Sequence, residues 1–151
     1  MNDRFKFKVL DTKTNEIVVP REEIEERFVL TWDGSIVVRY YNPDIRLIRM
    51  PHYKPLFCTG LKDKNGNLIY ENDIVEFKMN PPRSSTDSNK IIKRQGVVKN
   101  RYSSWGVETP SSFERFEYLL PYDCLFDIKV IGNIHENSEI RKQVLNIAER
   151  R

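Results

Sequence analysis

Apolar and polar residues alternate along most of this chain, which is the period expected of half-buried β-strands. Near the start, Phe5, Phe7 and Val9 alternate with two lysines. A polar turn follows, and residues 17–19 then read Ile-Val-Val. The chain therefore opens with two predicted strands joined by a short connection.

Two turn signals divide the first half of the chain into hairpins. Asp33-Gly34 stands between the apolar runs 28–32 and 35–41. An Asp-Gly pair in this position favours a type I′ turn, with positive φ at both central residues. Residues 63–67 read Asp-Lys-Asn-Gly-Asn, which is a second turn signal. Between the two turns, a short strand is predicted over 45–50.

The second half predicts further strands over 74–77, 91–98, 105–107, 113–120 and 130–134. The segment 79–89 is rich in Pro, Ser and Asn, so it has little to bury and is predicted to be a mobile loop. Near the end, apolar residues fall at helical spacing behind Ser138, a favourable capping residue. This pattern predicts an α-helix over 138–151.

The predicted fold class is therefore mainly β (α+β). Short antiparallel strands form a small barrel-like or sandwiched core, and one C-terminal α-helix follows. We expect a single domain over 1–151. The alternative is two β subdomains over about 1–53 and 54–137, with the helix added.

Composition excludes several classes of protein. A chain of 151 residues can bury a core without disulfides or metal, and 11% aromatic residues argue against disorder. The net charge of +3 favours solubility and does not by itself indicate nucleic acid. No apolar stretch approaches a membrane span or a leader peptide. We expect a cytoplasmic protein of a bacterial cell, with both cysteines as buried free thiols.

Residues 59–66 read Thr-Gly-Leu-Lys-Asp-Lys-Asn-Gly, and Ile-Tyr-Glu at 69–71 and Asp-Ile-Val at 73–75 follow. This order resembles the signature of the YopX family. The segments 5–11 and 130–137 resemble the opening strand and closing motif of that family. The resemblance covers most of the chain and implies a phage or prophage protein with a mainly β fold. It implies no particular activity.

Within this resemblance, Asn72 stands where the family usually has Gly. Asn is the next residue most tolerant of positive φ, so the same turn is expected. The signature residues are interpreted as mainly structural, since they suit turns and backbone hydrogen bonds. They are Gly60, Asp63, Asn65, Gly66, Tyr70, Glu71, Asp73, Gly132 and Asn133.

Known site chemistries fit the sequence poorly. Asp63, Asn65 and Asn67 have the spacing of a calcium loop, but the positions that need Gly and Glu are Leu68 and Ile74. The two cysteines and two histidines lack the close ligand pair that marks a zinc site. Pairing Cys124 with His135, or Glu71 with Asp73, for catalysis is a weaker interpretation than a structural role. We therefore expect no enzyme activity, catalytic residue, metal or cofactor.

A basic hairpin is the most informative feature outside the signature. Its cations and following aromatic residue are the combination that single-stranded nucleic-acid grooves use for phosphates and bases. The candidate contacts are Arg83, Lys90, Lys93, Arg94, Lys99, Arg101 and Trp105. Nucleic acid would require Arg94, Lys99 and Arg101 on one continuous face with Trp105 exposed. The alternative is an ordinary solvated hairpin.

The favoured function is a phage or prophage accessory protein that acts by protein–protein contact. We expect an unidentified protein partner and self-association into a homo-oligomer, because a strand-rich protein has edges to protect. The first alternative is a nucleic-acid-binding module that uses the basic hairpin 83–105. The second is a small hydrolase or metal-dependent enzyme. No membrane partner is expected.

Overall fold

The computed structural model of the chain describes residues 6–79, 90–116, 125–136 and 139. Strands dominate it, as the alternation of apolar and polar residues predicts. In chain order they are β1 Phe7–Asp11, β2 Glu16–Val18, β3 Arg27–Leu30, β4 Ile36–Tyr40, β5 Arg46–Arg49, β6 Tyr53–Lys62, β7 Leu68–Tyr70, β8 Asp73–Met79, β9 Ile92–Arg101, β10 Ser104–Glu108, β11 Phe113–Arg115 and β12 Leu125–Asn133. A 3-10 helix, Glu22–Ile24, precedes β3.

The strands pair antiparallel in three sheets. One sheet has the order β2-β1-β6-β7 and another has the order β11-β10-β9-β8-β12. The third is a three-stranded sheet, β3-β4-β5. The architecture includes a half-barrel. Backbone hydrogen bonds such as Asn72 N–H to the Val98 carbonyl connect the corner after β7 to the five-stranded sheet.

The main core lies where β7 meets the five-stranded sheet. Its fully buried side chains include Val75, Phe77, Val98 and Val107, each 0–1% exposed. They come from three neighbouring strands, and Ile69 of β7 packs with them. Because strand side chains alternate between faces, the period-2 pattern places these residues together. This core holds the signature segment in place.

The hairpin predicted at Asp33-Gly34 is confirmed, since β3 and β4 pair across it. The predicted type I′ turn is wrong, because only Gly34 of this pair has positive φ. The loop instead places a turn from Thr31 to Gly34 before the left-handed Gly34, with Gly34 N–H donating to the Thr31 carbonyl. The Thr31 hydroxyl and Ser35 donate to the Asp33 carboxylate and lower its pKa.

The predicted α+β class with a C-terminal helix is wrong: the structure is nearly all β, with antiparallel sheets. Within the described ranges, the elements are the twelve strands and the short 3-10 helix. The expected helix 138–151 lies outside those ranges except for Glu139. The short strands bury their apolar faces against one another, and the local helical spacing was the wrong guide to fold class.

Two further predictions concern segments that lie partly outside the described residues. The loop predicted over 79–89 is described only at Met79, which belongs to β8. The strand predicted over 113–120 is described as β11 up to Arg115. No helix among the described residues is long and apolar enough to cross a membrane.

Candidate functional site

Asp63 of the signature ties a turn to the last strand. Its Oδ1 accepts the N–H groups of Asn65 at 3.0 Å and Asn67 at 2.8 Å. Its Oδ2 accepts the N–H of Val130 at 2.9 Å. Burial alone would raise the pKa of Asp63, but these donors outweigh burial and lower it. The carboxylate is used inside the fold, so it supports the structural interpretation.

Asp73 is the most buried carboxylate of the signature, at 2% exposure. Its Oδ2 accepts the N–H of Tyr70 at 2.8 Å, and its Oδ1 accepts the side-chain amide of Asn133 at 3.1 Å. Burial raises the pKa of Asp73, and the two donors offset part of that effect. Asp73 therefore joins the β7–β8 corner to the end of β12, and its side chain is almost fully shielded from solvent.

Asn72 adopts the positive φ predicted for it, 67°. Its side chain continues a line of polar contacts: Lys99 Nζ donates to Asn72 Oδ1 at 2.6 Å, and Asn72 Nδ2 lies 3.0 Å from His135 Nε2. His135 Nδ1 lies 2.7 Å from Asn15 Oδ1. Since Asn72 Oδ1 accepts from Lys99, its amide nitrogen donates to His135. The chain of bonds connects three loops and strand β9.

The remaining signature residues occupy turns and strands around these anchors. Gly66 has φ 83° in the 63–67 turn, and Gly60 has φ 82° where the pairing of β6 with β7 shifts register. Glu71 N–H donates to the Phe57 carbonyl. Gly132 lies at a register shift between β8 and β12. Each position serves backbone geometry, in keeping with the structural interpretation.

The basic hairpin is described from Lys90 onward, and Arg83 lies outside the described residues. Lys93 Nζ is 3.0 Å from Glu76, and Arg101 Nε is 2.8 Å from Glu108. Lys90 and Lys93 are exposed, and Lys99 is half-buried in its bond to Asn72. Two of the cations therefore already have carboxylate partners within their own sheet.

The hairpin also divides its cations between two faces. β9 pairs with β8 and β10 without a register shift, so its side chains alternate strictly. Arg94 shares a face with buried Val98, whereas Lys99 and Arg101 lie on the other face. Trp105 is half-buried and packs against the main core. This is not the arrangement that nucleic-acid binding requires, so that function stays a prediction with little structural support.

Metal and nucleophile chemistry can be checked over the described part of the chain. It holds no group of three or more His, Cys, Asp or Glu side chains placed to share a metal ion. Cys58 is a buried free thiol, and its sulfur accepts the Gly60 N–H at 3.4 Å. Cys124 lies outside the described residues. The catalytic pairing considered for Cys124 and His135 therefore lies partly outside the described part of the chain.

The three-stranded sheet carries an exposed surface that the sequence patterns did not single out. All four residues of β5 are exposed, and β5 is one of the two outer strands of its sheet. Leu47 is 62% exposed and Ile48 45%, and Ile45 just before them is 71% exposed. We call Ile45, Arg46, Leu47, Ile48 and Arg49 the edge surface. Native sheets commonly end in short, charged strands, so the feature of this edge that favours a binding partner is its exposed aliphatic side chains, Ile45, Leu47 and Ile48.

The edge surface continues a sheet whose inner face is packed. Phe28, Val38 and Ile48 lie opposite one another across β3, β4 and β5, and Val38 is fully buried. The outer-face row beside them contains Arg27, Arg39 and Leu47. The core face therefore ends at an exposed isoleucine, where one further apolar side chain would extend it.

Arginines lie on and beside the edge surface. Residues 27–50 contain four arginines and two aspartates, whereas residues 21–26 just before them contain one arginine and four glutamates. Arg27 lies over the Tyr41 ring at 5.3 Å, and Arg39 Nη1 donates to the Tyr41 hydroxyl at 3.1 Å. Arg49 lies 3.3 Å from Asp33, and Arg46 stands exposed at the other end of β5. The signal that could have found this site is the segment Ile-Arg-Leu-Ile-Arg, two cations around exposed aliphatics.

Comparison with known proteins supplies the family. The model of the family described as YopX protein matches residues 6–140. The crystal structure of protein yopX from Bacillus subtilis is similar over 92% of this chain and 98% of that one, with 15% identity and a TM-score of 0.55. A crystal structure of an Enterococcus faecalis protein covers 89% of this chain and 96% of its own, with 24% identity and a TM-score of 0.47. No curated protein matches the chain. The Bacillus likeness supports the fold alone.

Proposed function

This chain belongs to the YopX family, and on that premise we propose that it is a non-enzymatic accessory protein of a phage or prophage. It acts inside the bacterial host by docking another polypeptide on its three-stranded sheet. The observation that carries the proposal is β5, an outer strand with every residue exposed and two aliphatic side chains in water. The phage setting rests on the family resemblance.

The use of polar residues elsewhere supports a binding role over catalysis. The carboxylates of Asp63 and Asp73 accept hydrogen bonds from inside the fold, and Asp73 is almost fully buried. A general acid or base must reach a substrate, which these positions do not favour. The edge surface, by contrast, offers apolar area and charge to solvent.

A polypeptide fits the edge surface better than nucleic acid does. Single-stranded nucleic acid is held by cations and stacked aromatic rings. Exposed Leu47 and Ile48 offer aliphatic area instead, and an outer strand offers backbone N–H and C=O groups. Polypeptide partners use both features when they add a strand to a sheet. The docked polypeptide can be a second copy of the chain or a different protein.

Site-specific photo-crosslinking tests the proposal. A photoreactive benzoylphenylalanine replaces Leu47 in one protein and exposed Asn100 of β9 in a control protein. After irradiation in extract of the bacterial host, we expect discrete protein adducts at position 47 that are absent at position 100. Identical adducts at both positions, or adducts with nucleic acid only, would contradict the proposal.

A further inference from the structure

We propose that the partner docks as an additional antiparallel strand along β5, and that the docked segment reads acid–apolar–apolar–acid. The inference rests on the proposed function and adds the register and the chemistry of the partner. It follows from three features of the edge surface: the direction of its backbone groups, the faces of its side chains, and the placement of its charges.

The backbone register fixes which groups face outward. Met50 N–H donates to the Ile36 carbonyl at 3.0 Å, so these two residues form a hydrogen-bonded pair between β4 and β5. Antiparallel pairs alternate between bonded and non-bonded. With Ile48 opposite Val38, the bonded pairs include Ile48, and Leu47 and Arg49 belong to non-bonded pairs. The N–H and C=O groups of Leu47 and Arg49 therefore point to the open edge.

The side chains then set what should lie opposite. Ile48 extends the inner row of Phe28 and Val38, so an apolar residue opposite Ile48 would lengthen the packed face. Leu47 lies on the outer face, where a second apolar residue would cover part of its 62% exposed surface. Two consecutive apolar residues in the partner, one for each face, satisfy both positions.

The two arginines of β5 indicate which residues should stand at the two ends of the partner's segment. Arg49 and Arg46 flank the two aliphatic residues, and a carboxylate opposite each would form a favourable cross-strand pair. Arg49 already lies 3.3 Å from Asp33, whereas Arg46 has no ion pair among the described residues.

A second copy of this chain fits the edge less well than an acidic segment does. Outward-facing residues must pair with outward-facing residues, so a copy can place Leu47 opposite Arg49 and Ile48 opposite Ile48. Arg46 then lies opposite Met50, and the Arg49 side chains of the two copies become diagonal neighbours on one face. No carboxylate lies opposite either arginine, and positive charge accumulates. The occupant we infer is therefore a different protein.

A synthetic peptide tests the register and the chemistry together. The probe is capped Thr-Glu-Val-Ile-Glu-Thr, titrated into the full ¹⁵N-labelled chain, with Thr-Lys-Val-Ile-Lys-Thr as the matched control. We expect the amide signals of Leu47 and Arg49 to shift and to gain protection from hydrogen exchange. The lysine peptide should bind about tenfold more weakly, since two cross-strand pairs change from attractive to repulsive.

Matched variants separate backbone from side-chain effects. Leu47→Pro removes the outward N–H and keeps the bonds to β4, a position where an outer strand tolerates proline. Leu47→Ala keeps that N–H, so it should bind the acidic peptide at least about tenfold more tightly than Leu47→Pro. Arg46→Glu should reverse part of the preference between the two peptides, and it does not depend on the proline variant folding.

Several results would overturn the inference. The acidic and lysine peptides could bind equally well, or Leu47→Pro and Leu47→Ala could bind the acidic peptide equally well. Neither peptide could bind at millimolar concentration. The signal of Leu47 could also shift with protein concentration alone, which would show that the chain pairs with itself. A single-stranded oligonucleotide that shifts the same amides more strongly would also overturn it. If crosslinking at position 47 still captures a protein, the proposed function survives and only its register and chemistry fail.

Discussion

The five-stranded sheet and the three-stranded sheet contain similar types of residue, but those residues make different contacts. In the first, exposed cations pair with carboxylates on neighbouring strands: Lys93 pairs with Glu76, and Arg101 pairs with Glu108. In the second, Arg46, Leu47 and Ile48 all stand exposed on the outer strand. The carboxylates that most resemble a site by residue type, Asp63 and Asp73, are anchors of the fold. The better candidate for binding lies on a strand without distinctive chemistry.

The largest expected effect lies at the anchored corner. Asp73→Ala removes the acceptor of the Tyr70 N–H and of the Asn133 amide at a buried position. We expect the free energy of unfolding to fall by about 3 kcal/mol, because buried donors lose their partner. Urea denaturation followed by fluorescence measures this. A loss below about 1 kcal/mol would show that the corner is not an anchor.

Glycine substitutions sharpen the same contrast. A Cβ at Gly96 would lie 2.5 Å from Val107 Cγ1 and 2.6 Å from the Glu108 carbonyl oxygen, so β9 and β10 would have to move. We expect Gly96→Ala to cost about 2–3 kcal/mol by overpacking. Gly34 in the three-stranded sheet has open space around it and φ 81°, so Gly34→Ala should cost about 1 kcal/mol of backbone strain.

Thermal or urea unfolding of the two glycine variants, compared with the unsubstituted protein, checks this order. Equal costs at Gly96 and Gly34 would mean that the close approach of β9 and β10 is relieved easily. The three-stranded sheet would then be no more tolerant than the five-stranded one, and the contrast between the two regions would fail.

The third prediction concerns pH and Asp63. The pKa of this carboxyl is lowered in the fold, so its contribution to stability is present above the unfolded value of about 3.9 and is lost as the pH falls through the folded pKa. Asp63→Asn should cost about 1–2 kcal/mol at neutral pH, and the difference from the parent protein should shrink towards pH 3.

Denaturation midpoints at neutral and acidic pH test this prediction. Asp11 is a suitable control position, since its carboxylate accepts the N–H of neighbouring Lys13 at an exposed turn. Asp11→Asn should change stability little. A difference between Asp63→Asn and the parent protein that stays constant from neutral to acidic pH would contradict the role given to the Asp63 carboxylate.

Local pattern predicted much of the fold because strand periodicity and turn residues act over short distances. The hairpin at Asp33-Gly34 and the positive φ of Asn72 both follow from the preferences of those residues. The turn type was missed because Asp-Gly also fits a longer loop with Gly alone in the left-handed region. The fold class was missed because helical spacing at the end of the chain was given weight against twelve strands.

The candidate site was harder to predict than the fold. Residue type marks Lys93, Arg101 and Trp105 as binding residues, but only the sheet register shows that their charges are paired and the ring is packed. The edge surface was missed for the converse reason. Residues 45–50 read as an ordinary short strand, and its place at the outside of a sheet depends on pairing across the whole first half of the chain.

The smallest expected effect on stability separates the two tryptophans. Trp32 is 99% exposed at the tip of the β3–β4 hairpin, whereas Trp105 packs against the main core. We expect Trp32→Ala to change the free energy of unfolding by less than about 0.5 kcal/mol. It should also remove most of the tryptophan emission that acrylamide quenches readily, because the remaining ring is sheltered. Trp32→Phe serves as the control that keeps an aromatic ring at the turn.

If the partner docks along β5, Trp32→Ala should bind the acidic peptide as the parent protein does, since the turn tip lies beyond the paired residues 46–49. Loss of peptide binding in Trp32→Ala, with stability unchanged, would move the docking surface from the strand edge to the hairpin tip and would favour a partner that stacks on an aromatic ring.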